Sequence, residues 1–182
     1  MLVGYADARP CPCPSLSVAL QFFTDVHGDE ALPFTFVAGG EGLPAWGPRL
    51  KALHGAFVGS YARANPDMQA QFGYDPDPPL EGNLAICSNQ VCQRFNALGV
   101  TLEMPFKDSA AVPRDAAAEG VGGFDGRRAA MLGASLLDAV SYVGAQLRDV
   151  EEPSFALADD AYVAPVEDEK AIAAWVQEQR QC

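Results

Sequence analysis

The sequence predicts an α/β layered domain, and three observations lead to that fold class. The chain has 182 residues, 49% apolar and 20% charged, which is the composition of about one globular domain. Short β-rich runs alternate with longer segments in which apolar residues recur every three or four positions. Their order along the chain is β-β-α-loop-α-β-loop-α, which is typical of helices packed on a sheet.

Two β-rich segments open the predicted domain. Residues 17–25 form a near-continuous apolar run of strand length, which predicts a strand buried on both faces. Residues 34–37 form a second and shorter strand, closed by two glycines. Residues 1–16, which precede both, contain three prolines and are predicted to be irregular.

The middle of the chain predicts two helices around a long loop. Residues 43–64 carry one apolar stripe at helical spacing, with a proline suited to the first turn. The stripe consists of Trp46, Leu50, Leu53, Phe57 and Tyr61. Residues 65–82 are rich in proline and predict a loop of a length that is often functional. Asn83 is a candidate cap for a helix that runs to about residue 96.

The C-terminal part predicts one more strand and two more helices. A β-rich run covers residues 100–104, and a second long loop covers residues 106–125. Residues 125–148 have the most regular apolar periodicity of the chain and predict a helix. Residues 149–168 are acidic and irregular, and an amphipathic helix is predicted for residues 168–179.

Charge and cysteine usage restrict the partners and the compartment. Twelve basic and 24 acidic residues give a net charge of −12, which argues against nucleic acid and against an anionic membrane surface. No apolar segment is long enough for a membrane helix, and the N-terminus lacks the pattern of a secretory signal, so we expect the cytoplasm. The odd number of cysteines predicts free thiols. They are Cys11, Cys13, Cys87, Cys92 and Cys182.

Two residues are conspicuous as candidates for chemistry. His27 follows a predicted buried strand, at the sheet edge where α/β proteins bind ligands, and a structural histidine at a strand end is the alternative. Asp25 lies two residues earlier, on the same strand face, and could orient the imidazole. Glu103 lies inside an apolar strand, where burial would raise the carboxyl pKa toward that of a general base. A hidden basic partner is the alternative for Glu103.

Two stretches of the sequence resemble a known family. They are DVHGDEALPFTFVAGGEG at residues 25–42 and GNLAICSNQVCQRFNALGVTLEMPFKD at residues 82–108. Both are similar to the C-terminal half of zinc metallocarboxypeptidases of the carboxypeptidase A superfamily, in the bacterial cytosolic carboxypeptidase-like branch. The resemblance spans residues 17–148, and it implies a three-layer α/β/α fold with a mixed sheet, truncated at its N-terminal side.

The resemblance implies roles for three residues. His27 matches the third zinc ligand, and Glu103 matches the glutamate that activates water for removal of a C-terminal residue from a peptide or protein. Tyr74, on the long loop, is the nearest tyrosine upstream of Glu103 and a candidate for contact with substrate.

The family's other two zinc ligands, an H-x-x-E motif, have no match here. The 26 residues before His27 contain no histidine, and His54 is followed at the third position by Phe57. We therefore expect residues 1–16 to be a leader unlike the family, residues 17–148 to be half of a catalytic domain, and residues 149–182 to be an acidic segment with a final helix. Two functions follow as hypotheses: a zinc carboxypeptidase with an incomplete metal site, or an inactive remnant that acts in binding. Exposed sheet edges predict self-association.

Overall fold

The computed structural model describes residues 20–106, 108–109, 124–147 and 152–155. The predicted leader, the segment from residue 156 onward and the predicted final helix lie outside the described residues. Six elements follow one another in the described part: β1 (Phe22–Asp29), β2 (Phe36–Ala38), α1 (Pro48–Ala64), α2 (Cys87–Phe95), β3 (Leu98–Pro105) and α3 (Gly126–Gly144). No helix in this part of the chain is long and apolar enough to cross a membrane.

The strands form a mixed sheet in the order β1-β3-β2. β1 pairs with β3 in parallel, and β2 pairs with β3 in the antiparallel direction. This arrangement confirms the α/β class and the mixed sheet. The register sets His27 opposite Glu103 and sets Phe36 of β2 on the other side of Glu103. The two candidate residues are therefore side-by-side neighbours on adjacent strands.

Helices pack on both faces of this sheet. α2 lies against the face of Gly99 and Thr101, where the Ser88 and Thr101 hydroxyls are 2.7 Å apart. A Cβ atom at Gly99 would come within 2.4 Å of the backbone oxygen of Ser88, so only glycine allows α2 this close to β3. On the other face, the rings of Phe22 and Phe57 lie 5.2 Å apart and join α1 to the sheet.

α3 covers the outer side of α1. Tyr61 of α1 is fully buried and donates a hydrogen bond of 2.9 Å to the backbone oxygen of Leu132. Asp125 caps α3 by accepting a hydrogen bond from the backbone N–H of Arg128. The Arg128 guanidinium in turn donates to both carboxylate oxygens of Asp67, which fixes the start of the long loop to α3.

The structure corrects several predictions, among them those for β1 and for the start of α2. β1 covers Phe22–Asp29 rather than residues 17–25, and only Asp29 in it is buried, because β3 is its one neighbour among the described strands. β3, between two strands, is buried along almost its whole length. Asn83 does not cap α2, since its side chain accepts from the backbone N–H of Ala85 in a local turn. The two described cysteines are free thiols, of which Cys92 is buried and Cys87 is exposed.

Candidate active site

The site is built where β1 and β3 lie side by side. His27 Nδ1 lies 3.7 Å from Glu103 Oε1, and His27 Nε2 lies 3.2 Å from Asp25 Oδ2. Asp25 and His27 share one strand face because side chains alternate along a strand. The side chain of His27 is 50% exposed, whereas that of Glu103 is 6% exposed. An accessible imidazole therefore borders a carboxyl group that water hardly reaches.

The environment of Glu103 suits a proton acceptor. Burial raises the pKa of its carboxyl group above the usual value, while the nearby His27 and a hydrogen bond from Tyr74 act in the opposite direction. Among the described residues, none hydrogen-bonds to Glu103 Oε2. One oxygen of this carboxyl group is thus held by protein contacts, and the other is left for a ligand or a proton.

The long loop brings Tyr74 to the same place. Its hydroxyl donates a hydrogen bond of 2.5 Å to Asp29 Oδ2 and lies 3.3 Å from Glu103 Oε1. Its ring packs edge-on against Phe36, with ring centroids 4.8 Å apart. Asp29 is held in place because its other oxygen accepts from the backbone N–H groups of residues 31 and 32. Burial and these carboxyl groups raise the pKa of Tyr74, which keeps its hydroxyl a donor.

A cavity of about 670 Å³ opens in front of Glu103. Its walls come from β2, α1, α2 and residues 69–77 of the long loop, so this loop is part of the site as its length suggested. Sequence reasoning missed two residues of the cavity. From the sequence, His54 is weighed only as a member of an H-x-x-E motif, and Glu41 is not singled out. His54 Nδ1 lies 3.5 Å from Glu41 Oε1. Their contact joins α1 to the segment after β2, which no local pattern indicates.

Comparison with known proteins identifies the architecture. No family model matches the chain. A structure of a metallo-carboxypeptidase from Pseudomonas aeruginosa matches 70% of the chain at 36% identity with a TM-score of 0.65. A metallo-carboxypeptidase from Burkholderia cenocepacia matches 65% of the chain at 39% identity with a TM-score of 0.58. This chain has a carboxypeptidase-like fold. An uncharacterized protein of Zymomonas mobilis is 43% identical over 94 residues, or 52% of the chain.

The carboxypeptidase-like fold is partial. The chain spans about a third of the length of the solved carboxypeptidases, at 32% and 30%, and 25% of the Zymomonas protein. His27 has the chemistry of a zinc ligand, being an accessible imidazole with a carboxylate behind it. Within the described residues, however, no group of three or more His, Cys, Asp or Glu side chains is placed to hold a metal ion. These residues alone do not form a complete zinc site.

Proposed function

We propose that this chain carries one part of the active site of a zinc-dependent metallocarboxypeptidase. Such an enzyme removes the C-terminal residue of a peptide or protein with an activated water molecule. The observation that supports this best is the side-by-side placement of His27 and Glu103 on a carboxypeptidase-like fold. We also propose a cytoplasmic location, which the free thiols of Cys87 and Cys92 support.

In this proposal Glu103 is the catalytic base. It takes a proton from the water whose oxygen bonds to the scissile carbonyl carbon, and it returns that proton to the amine as the C–N bond breaks. Burial suits it to the first task, because a carboxylate with a raised pKa is a stronger base than an exposed one and accepts the proton more readily. The Tyr74 hydroxyl lies 3.3 Å from one oxygen of Glu103, and Tyr74 lines the cavity, where it can also contact substrate.

Zinc, when bound, would polarise the carbonyl group and lower the pKa of the water. His27 is the ligand that the described residues offer, with Asp25 as the group that orients it. Catalytic zinc sites use three protein ligands, so we propose that the remaining ligands come from outside these residues. The P. aeruginosa enzyme is in complex with (2-guanidinoethylmercapto)succinic acid, and we propose that a ligand of this carboxylate-bearing class also enters the cavity here.

The proposal is tested first by zinc binding to the purified chain. We expect less than one tightly held zinc per chain by metal analysis, and we expect His27→Ala to weaken the residual binding. The matched control is His54→Ala, which removes the other histidine of the cavity. One tightly bound zinc that survives His27→Ala would contradict the assignment of His27.

The second test supplies the part of the carboxypeptidase fold that this chain does not cover. The chain is mixed with the portion of the P. aeruginosa enzyme that it does not cover, and hydrolysis of blocked dipeptides is measured. We expect zinc-dependent release of the terminal residue and a loss of about 10²–10⁴-fold in Glu103→Gln with zinc still bound. If the mixture binds zinc and peptide but never hydrolyses it, the chain is the inactive remnant acting in binding, which is the alternative function.

A further inference from the structure

One buried side chain shapes the loop segment that carries Tyr74. Gln69 lines the cavity and is 1% exposed. Its Oε1 atom accepts hydrogen bonds from the backbone N–H of Gln71, at 2.9 Å, and from that of Phe72, at 2.7 Å. Its Nε2 atom donates a hydrogen bond of 2.7 Å to the backbone oxygen of Phe72. The carboxamide of Gln69 thus closes a turn over residues 69–72.

The same carboxamide fastens this turn beside the sheet. Nε2 of Gln69 also donates a hydrogen bond of 3.1 Å to the backbone oxygen of Thr35, the residue directly before β2. In β2, Phe36 pairs with Glu103 of β3. A carboxamide has two N–H donors and one oxygen with two lone pairs, and Gln69 uses all four. Its side chain therefore has no hydrogen bond left to offer a ligand in the cavity.

The turn leads directly into Tyr74. The ring of Phe72 stacks on that of Phe34, with ring centroids 4.7 Å apart. Gly73 then passes close to the ring of Phe36, since a Cβ atom at Gly73 would lie 3.1 Å from it. The ring of Tyr74 packs edge-on against the same Phe36 ring. The backbone path set at residues 69–72 therefore continues without slack to Tyr74.

Tyr74 depends on this anchoring because the fold does not enclose it. The residue is 53% exposed, although its hydroxyl contacts the carboxyl groups of Asp29 and Glu103. Packing against one ring and two hydroxyl contacts must hold a side chain that is otherwise open to water. The position of its backbone therefore decides whether the hydroxyl reaches both carboxyl groups.

We propose that Gln69 is a positioning residue, whose carboxamide holds the turn of residues 69–72 against Thr35 and so keeps the Tyr74 hydroxyl at Glu103. This inference rests on the proposed function, in which Glu103 is the base and Tyr74 can contact substrate. A methionine at position 69 would fill a similar volume but would leave the backbone N–H and C=O of Phe72 without this partner. The turn would then open toward water to satisfy these groups, and Tyr74 would move with it.

The first test follows Tyr74 by fluorine NMR of the full chain labelled with fluorotyrosine. The chain has five tyrosines, and Tyr74→Phe identifies the signal of residue 74. In wild type this signal should be shifted from its position in the urea-unfolded chain, because the side chain packs on Phe36 and its hydroxyl is bonded. In Gln69→Met it should move most of the way to the unfolded position. The signal of the buried Tyr61 should stay in place and report an intact fold.

A matched control and a measurement on wild type complete this test. Gln146→Met removes another amide that binds loop backbone, at Ser154 and outside the cavity, and it should leave the Tyr74 signal unchanged. Hydrogen exchange on wild type stands even if Gln69→Met fails to fold. The backbone N–H groups that Gln69 binds should exchange at least about tenfold more slowly than in an unfolded chain. Fast exchange of these groups, or a Tyr74 signal unmoved by Gln69→Met, would overturn the inference.

A second test measures whether Gln69 acts through Tyr74. In the mixture with the complementary part of the P. aeruginosa enzyme, Gln69→Met and Tyr74→Phe should lower kcat/KM by similar factors. The double variant should lower it no further, because both changes remove the same contact with Glu103. Additive losses would overturn the inference. Failure of the proposed function would appear separately, as the absence of Glu103-dependent hydrolysis in the wild-type mixture, whereas the NMR signal of Tyr74 would still report on Gln69.

Discussion

Replacing Glu103 with Gln should stabilise the metal-free protein, and the gain should grow with pH. The amide has nearly the volume of the carboxyl group and can still accept the hydrogen bond of Tyr74. It carries no charge, however, so it avoids the cost of an ionised side chain that is 6% exposed and has one oxygen unpartnered among the described residues. The residue proposed for catalysis is thus expected to weaken the fold at neutral pH.

The sign and size of this pH-dependent stability difference follow from proton linkage. Burial raises the pKa of Glu103 in the native protein above the value of 4.5 that it has when unfolded. Below pH 4.5 Glu103 is protonated in both the native and the unfolded state. The native fold then carries no cost of burying a charge at this position. As the pH rises toward the native pKa, the unfolded state ionises first and wild type loses stability relative to Glu103→Gln. One proton gives a slope of up to about 1.4 kcal/mol per pH unit.

Urea unfolding between pH 4 and 8 with a chelator present measures this difference. The two proteins should have similar stability near pH 4 and diverge above pH 4.5 in favour of Glu103→Gln. Glu81→Gln, on the surface, serves as the control and should follow wild type. A wild type that gains stability over Glu103→Gln as the pH rises would refute the reasoning, since it would mean that the native fold stabilises the carboxylate.

Three further predictions concern the fold. Gly99→Ala should destabilise the protein by about 1–3 kcal/mol in urea unfolding, because the added methyl group meets the backbone of α2. The control is Gly133→Ala in α3, where a methyl group meets open space and should stabilise the protein by up to about 1 kcal/mol. Arg128→Met should cost about 3 kcal/mol in the same assay, because it leaves the buried carboxylate of Asp67 unpaired. The outer edge of β1 has no partner among the described strands, so light scattering should show self-association, and a compact monomer that binds no hydrophobic dye would contradict this.

The positions of α1 and α3 could be predicted closely, because each helix has one row of apolar residues at helical spacing. α3 begins and ends within a few residues of the expected bounds, and so does the C-terminus of α1. The start of α1 differs because Pro44 and Pro48 both suit a first turn. The chain uses Pro48, and residues 43–46 form turns instead. Local sequence does not choose between two equivalent signals, since the choice depends on what the turns pack against.

Burial of strands was less predictable, because it depends on neighbours. The apolar runs of β1 and β3 look alike, yet β3 is buried and β1 is mostly half-buried or exposed. The same holds for the site. His27 and Glu103 could be singled out from their positions in apolar strands, but the contact of Glu41 with His54 joins segments that follow no common motif. Only the tertiary fold brings such residues together.

The register between β1 and β3 explains why a partial carboxypeptidase-like fold still places the two candidate residues side by side. Parallel pairing sets His27 opposite Glu103, and a slip by one residue would turn Glu103 to the opposite face. Gly99, four residues before Glu103, allows α2 to pack closely against β3, because a Cβ atom there would meet the backbone oxygen of Ser88. The buried carboxyl group of Glu103 and the adjacent imidazole of His27 are therefore held by contacts within the described residues. In the proposed function, a zinc site that lacks a ligand would impair the activation of water but would leave Glu103, the proposed base, in place.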